Sequence, residues 1–174
     1  MSASPVTPDA VVNQLERNAT VFRALLIDRP EQEYRWRPDP QKWNLLDVVC
    51  HLYDEERDDF RARVRSVLED PTRPFVPANP EAWVVDRKYA EQDYEAMLGA
   101  FLRERVDSVR WLRSLADPQW ANAYLHPRVG PVTAKRLLVN WLAHDLLHVR
   151  QITRLQYEAL RATSNENLDY AGTW

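Results

Sequence analysis

The stretch WNLLDVVCHL, residues 43–52, contains a complete start signal for an α-helix. Asn44 can accept a hydrogen bond at the N-cap, and Asp47 stands three residues later, where its carboxylate can bond back to the N-cap backbone. Apolar residues then recur at helical spacing. We expect this helix to run to about Leu68, because Pro71 cannot continue it.

Three further helices are predicted on either side of this stretch. They run from Pro8 to before Pro30, from near Asp93 to before Asp117, and from Thr133 to about Leu160. The connection over residues 71–92 is longer than two adjacent antiparallel helices need, so it can carry the chain back along a whole bundle. The sequence therefore predicts an all-α fold, a four-helix bundle with a long crossover between the second and third helices.

Length and composition narrow the class of protein. The 174 residues fit one domain, which we expect to span residues 1–174 with a peripheral tail at 161–174. The net charge of −3 and the pI near 5.8 disfavour nucleic-acid binding. Residues 1–8 lack the basic and apolar segments of a signal peptide, and no run approaches the roughly 18 apolar residues of a membrane span. We expect a cytoplasmic protein that binds neither nucleic acid nor membrane.

A pair of histidines, His144 and His148, is the sharpest chemical signal in the sequence. Residues four apart lie one turn apart on one helix face, so two imidazoles can converge on a single metal ion. The pair also lies in the apolar stripe that contains Trp141 and Ile152. Two interpretations stay open: a metal site, or two core histidines that hydrogen-bond to acids on a facing helix.

A metal site needs a third ligand, and the other two histidines are His51 and His126. His126 precedes Pro127 in a predicted loop, where a solvated or capping role is the ordinary one. His51 shares a face of the second helix with acidic residues, away from its apolar side. It is either a surface histidine on a solvated face or part of a cleft that holds the metal, and the spacing does not distinguish the two.

Residues 43–52 resemble the helix-2 signature of the DinB/YfiT-like metalloprotein superfamily, a Trp before the helix start and a His near the end of an apolar stretch. Residues 126–133 and 141–152 are similar to the C-terminal signature of the same superfamily. The resemblance implies a bundle with up-down-down-up helix order. It also implies one divalent metal ion held by three histidines, which at the matching positions are His51, His144 and His148.

Members of this superfamily include S-transferases and isomerases that use low-molecular-weight thiols, and proteins described as hydrolases. The resemblance therefore implies a metal-dependent transferase that joins such a thiol to a small electrophile. The alternatives are a metal-dependent hydrolase of a small ester or amide, and a non-catalytic, stress-related metalloprotein. Three histidines with an open position suit Zn, Ni or Fe(II) about equally.

Three other side chains are candidates for roles at this site. Gln151 could hydrogen-bond a metal ligand or simply pack as an amide. Glu55 could act as a general base, orient His51, or lie on a solvated face. Arg105 falls on the apolar face of the third helix, where a lone charge is costly. It either pairs with an acid of the second helix, snorkels to solvent, or binds a carboxylate of the substrate.

The fourth helix carries more apolar surface than one inward stripe requires. Leu138, Leu142 and Val149 form a second apolar line, and Leu146 extends it. Either neighbouring helices within the monomer cover this line or a second copy of the chain does. We predict a homodimer, because leucines on an outer helix face would otherwise contact water.

Overall fold

The computed structural model describes residues 5–172, so that residues 1–4 and 173–174 of the predicted single domain lie outside the described residues. In chain order its α-helices are α1 (Pro8–Leu26), α2 (Glu31–Tyr34), α3 (Leu45–Asp54), α4 (Arg61–Glu69), α5 (Pro80–Asp86), α6 (Tyr94–Ser114) and α7 (Ala134–Thr163). A π-helical turn (Glu55–Phe60) joins α3 to α4, and 3₁₀ turns cover Tyr89–Glu91 and Asp169–Ala171. Strands β1 (Ala123–His126) and β2 (Gly130–Thr133) form an antiparallel hairpin.

Four long helices form the bundle: α1, the second bundle helix (α3, the π-helical turn and α4), α6 and α7. Their predicted starts are confirmed by the caps. The side chains of Thr7, Asn44, Asp93 and Thr133 each accept a backbone N–H in the first turn of the helix that follows. At Asn44 the bond is reciprocal, because Asp47 accepts the Asn44 N–H in turn, which completes a capping box.

Contacts between helices fix the directions of α1 and α7. Asn18 of α1 donates to Asp145 of α7, and seven residues further along α1 the Leu25 carbonyl accepts from Gln156 of α7. Residue numbers rise together along both helices, so α1 and α7 run parallel.

The other two bundle helices run the opposite way. Along α6, Tyr94 donates to the Leu26 carbonyl and Arg105 to the Leu15 carbonyl, so α6 is antiparallel to α1. Arg105 also bonds Glu56, and Arg61 bonds Ser108, so the second bundle helix runs parallel to α6. The order is therefore up-down-down-up, and the predicted bundle with its long crossover is confirmed.

The connections between the bundle helices contain regular structure that the sequence pattern does not predict. The crossover over residues 71–92 includes α5 and a 3₁₀ turn, and the segment between α6 and α7 includes the β1–β2 hairpin. Gly130 begins β2 at φ 70°, in the left-handed region that glycine adopts without strain. The all-α prediction thus describes the bundle, to which a two-stranded sheet is attached.

The core consists of two apolar clusters, one toward each end of the bundle. One contains Phe22, Phe101 and Ile152, and the other contains Leu15 and Trp141. On α7 the two histidines of the HxxxH pair lie between Trp141 and Ile152. A layer of polar side chains therefore crosses the bundle between the clusters, and the candidate site belongs to it.

Most of the apolar line predicted to form a dimer interface is covered within the monomer. Leu138 is fully buried, and Leu142 and Val149 pack against the two core clusters. Leu146 alone among these four is largely exposed, at 57%. The homodimer stays a prediction, and the surface that supports it is smaller than the sequence pattern indicates.

The last two observations on the fold concern membrane-spanning helices and the segment after α7. Among residues 5–172 no helix has both the length and the apolar composition to cross a membrane. After α7, residues 164–172 form bends and a 3₁₀ turn in which Tyr170 is fully exposed.

Candidate metal centre

Three imidazoles converge at the polar layer of the bundle. His51 comes from α3, and His144 and His148 come from successive turns of α7. The Nε2 atom of His144 lies 3.2 Å from Nε2 of His51 and 3.0 Å from Nε2 of His148. The ligand atoms of all three residues lie within 4.8 Å of one another. The sequence left open whether His51 lies on a solvated face or in a cleft. The structure places its ring beside the other two imidazoles.

The donor set fits a divalent metal ion. Two imidazole nitrogens bound tetrahedrally to one Zn²⁺ at about 2.0–2.1 Å are about 3.4 Å apart, close to the two Nε2 separations here. Ring nitrogens that face one another with lone pairs repel, and a cation between them removes that repulsion. Three neutral imidazoles are also a common ligand set for Zn, Ni and Fe.

Hydrogen bonding orients one of the rings. Nδ1 of His148 lies 2.8 Å from Oε1 of Gln151. An amide oxygen only accepts, so Nδ1 carries the proton and the lone pair of Nε2 points toward the other two imidazoles. Gln151 therefore fixes the tautomer that a metal ligand needs. Nδ1 of His51 is buried and has no hydrogen-bond partner within residues 5–172.

Aromatic rings cover two of the histidines. The Trp43 ring centroid lies 4.8 Å from that of His51, and the Phe60 centroid lies 4.9 Å from that of His144. Burial, together with the neighbouring imidazoles, lowers the pKa of His51 to about 3 and that of His144 to about 2. Burial also lowers the pKa of His148. All three rings are therefore neutral near pH 7, which is the form that binds metals.

Arg105 lies beneath the histidines, fully enclosed by protein acceptors. Its guanidinium pairs with Glu56 of the second bundle helix and with Asp145 of α7, and it also donates to the Leu15 carbonyl. These bonds use all the N–H groups that a guanidinium has, and the side chain is 1% exposed. The predicted ion pair with an acid of the second helix is confirmed, and no N–H of Arg105 is left to bind a substrate carboxylate.

Glu55 is buried, not solvated, at the start of the π-helical turn. Its interaction partners lie along its own helix, Asp59 and Arg63, and its Oε1 atom has no hydrogen-bond partner among the described residues. Burial, reinforced by the nearby Asp59 carboxyl, raises the pKa of Glu55 to about 8. None of its hydrogen bonds within residues 5–172 reaches an imidazole, so its role as a base stays a prediction.

The raised pKa of Glu55 predicts a stability that falls with pH. The folded protein holds this proton up to about pH 8 while the unfolded chain releases it near 4.5, so the free energy of unfolding decreases as pH rises through this window. Glu55→Gln keeps a neutral group of the same shape and should raise that free energy by roughly 1–3 kcal/mol at pH 8.

Urea unfolding at pH 5 and pH 8 measures this effect. The gain should be several-fold smaller at pH 5, which is close to the unfolded-state pKa, and Glu69→Gln, at an exposed position of α4, should change little at either pH. An equal gain for Glu55→Gln at both pH values would contradict the assigned pKa direction.

A cavity of about 580 Å³ opens onto the histidines of α7. Its lining consists of His144, Leu147, His148, Arg150, Gln151 and Arg154. A neighbouring cavity of about 560 Å³ shares Gln151 and Arg154 with it and includes Trp43. Nothing in the sequence pattern distinguishes the two arginines, although both fall on the same side of α7 as Gln151.

His126 is not part of this cluster. It ends β1, where its Nδ1 accepts the backbone N–H of Arg128 at 3.2 Å, as expected for a capping histidine in a turn.

Comparison with known proteins identifies the family. Residues 14–152 match the family model of the DinB superfamily, and the chain belongs to that superfamily. Among solved structures it is similar to YfiT from Bacillus subtilis, described as a probable metal-dependent hydrolase with an unusual four-helix bundle topology. The TM-score is 0.77 at 19% sequence identity, over 91% of this chain and 93% of that one, and it shows a common fold. No curated protein matches the sequence.

Proposed function

We propose that the protein is a metal-dependent enzyme that binds one divalent ion through Nε2 of His51, His144 and His148. The observation that carries the proposal is the convergence of these three nitrogens, with separations of 3.0 and 3.2 Å, between two apolar clusters. Membership of the DinB superfamily supports it, as does the likeness to YfiT.

Side chains around the three histidines orient and cover them, and a cavity beside them admits a small molecule. Gln151 holds His148 in the tautomer that presents Nε2, and Trp43 and Phe60 limit the access of water to the other two rings. When bound by neutral imidazoles, a divalent ion keeps its full charge and lowers the pKa of a thiol or water in its open position. The cavity beside His144 and His148 gives a ligand of modest size access to that position.

Thiol transfer is the reaction that these surroundings favour. Among residues 5–172 no carboxylate lines the cavity at His144 and His148, so these residues offer no general base in contact with a reacting molecule there. A thiol of low molecular weight needs none once its pKa is lowered, because the thiolate is itself the nucleophile. We therefore propose an S-transferase that joins such a thiol to a small electrophile.

Hydrolysis of a small ester or amide is the second candidate, and the description of YfiT as a probable metal-dependent hydrolase favours it. In that case a base must accept a proton from water, and Glu55, with its pKa of about 8, is the candidate. A cytoplasmic location and a homodimer complete the proposal.

Two measurements on the untagged protein test it. Elemental analysis should find one equivalent of Zn, Ni or Fe per chain. Turnover is then compared for thiols with a chlorinated aromatic or an epoxide, and for small esters and amides. Thiol conjugation that requires the metal supports the transferase, and ester or amide cleavage alone supports the hydrolase. Stoichiometric metal without any turnover favours a non-catalytic metalloprotein, and absence of metal contradicts the proposal.

A further inference from the structure

The cavity at the candidate metal centre has a strongly positive lining. Two of its side chains, Arg150 and Arg154, are guanidinium cations, and none of the described residues that line it is acidic. The two arginines are four residues apart on α7, so their side chains leave the helix one turn apart, about 6 Å along the same face. A metal ion bound by neutral histidines would add its own positive charge to theirs.

The guanidinium groups are available to a ligand. Within residues 5–172, the exposed Arg150 side chain lines the cavity and makes no hydrogen bond or ion pair. Arg154 pairs through Nε with Glu158 at 2.8 Å, and its two terminal nitrogens have no partner among the described residues. This differs from Arg105, whose donors are all used inside the bundle.

Gln151 connects the arginines to the histidines. Its Oε1 atom is used by His148, while its Nε2 donor has no partner among the described residues. It stands between His148 and Arg154 along α7 and lines both cavities. The donors of Arg150, Gln151 and Arg154 thus continue outward from the imidazoles along one side of the helix.

We infer that Arg150 and Arg154 form an anion-binding subsite, and that the small molecule bound at the metal centre carries a carboxylate. The inference rests on the proposed function, because the subsite is defined by its place beside the metal ligands. A guanidinium binds a carboxylate through two parallel N–H bonds, and two such groups one turn apart can hold one carboxylate or two neighbouring ones. Asp39 and Glu158 line the neighbouring cavity, where their carboxylates would repel an anion. The anion therefore lies in the cavity that Arg150 lines.

A matched pair of thiols tests the inference on the Co²⁺-loaded protein. The probes are 3-mercaptopropionate and the neutral 2-mercaptoethanol, and the near-ultraviolet absorption of the cobalt–thiolate bond reports binding. The wild-type protein should bind 3-mercaptopropionate about tenfold more tightly or better, equivalent to about 1.4 kcal/mol. Arg150→Gln with Arg154→Gln should remove this preference and leave 2-mercaptoethanol binding unchanged.

Arg161→Gln is the matched control, because Arg161 is an exposed arginine of α7 that lines neither cavity. Equal affinities for the two thiols in the wild-type protein, or a preference that survives in the double variant, would overturn the inference while the metal site stands.

A second arm does not depend on the metal. Propionate and inorganic phosphate are added in turn to the metal-free protein at constant ionic strength, and nuclear magnetic resonance follows the arginine Nε–H signals. Propionate should shift the Nε–H signals of Arg150 and Arg154, which are identified by their absence from the double variant. The Nε–H signal of Arg161 should not shift. Phosphate binding in place of propionate would assign the subsite to a phosphate-bearing ligand and overturn the carboxylate assignment. No shift with either anion would overturn the subsite, whether or not the protein binds metal.

Discussion

Replacing His148 by Ala is expected to remove stoichiometric metal from the protein while its helices stay intact. The change leaves His51 and His144 as the only imidazoles at the centre and also frees Gln151 from its hydrogen bond. Loss of a partner that merely orients a ligand costs about 10–100-fold in metal affinity, so loss of the ligand itself should cost more than 100-fold. The helices should persist because the two apolar clusters on either side of the site are unchanged.

Elemental analysis and circular dichroism of the purified variants measure both parts of this prediction. His126→Ala removes the histidine outside the cluster and should keep one equivalent of metal. Gln151→Ala keeps all three imidazoles and should weaken binding by about 10–100-fold, as seen in competition with a chromophoric chelator. A His148→Ala protein that retained one equivalent of metal would show that the ion is bound elsewhere.

The starts of the bundle helices could be predicted because their signals are local. A cap such as Asn44 with Asp47 depends on a few consecutive residues and on no distant contact. The proline-rich connections likewise mark where helices cannot continue. The lengths and order of the helices, and therefore the bundle, follow from such signals together with the long crossover.

The place of His51 could not be derived from periodicity, because α3 is buried on almost every side. All residues from Leu45 to Leu52 are buried, so an apolar face is a poor guide to which side of this helix meets its neighbours. His51 therefore faces α7 although the apolar residues centre elsewhere. Only the resemblance to a known family pointed to it.

The π-helical turn is the other feature without a local signal. The N–H of Arg61 bonds the carbonyl of Glu56, five residues earlier, so one extra residue is accommodated in this turn. The extra residue changes which side chains after His51 face the bundle interior. It accompanies the inward placement of Glu56 and the burial of Glu55, for which a solvated face was one of the alternatives left open by the sequence.

Arg105→Leu is expected to lower the free energy of unfolding by about 3–5 kcal/mol. Arg105 touches every helix of the bundle: the Leu15 carbonyl of α1, Glu56 of the second bundle helix and Asp145 of α7. Its removal leaves two carboxylates buried without their cation, and within the described part of the chain Glu56 keeps only its bond from Trp141. Because each carboxylate must then take up a proton or remain an unpaired charge, the variant should recover part of its stability at low pH.

Guanidinium chloride unfolding compares this variant with two others on the same helix. Arg113→Leu removes an ion pair with Glu16 whose side chains are about half exposed, and it should cost less than about 1 kcal/mol. Arg105→Lys retains the charge but not the planar fork, so it should fall between wild type and Arg105→Leu, and it serves as the measurable variant if Arg105→Leu does not fold. If both Arg105 variants matched Arg113→Leu in stability, the buried ion pairs would not hold the four helices together. The position of the polar layer that contains the metal ligands would then be stabilised by the two apolar clusters alone.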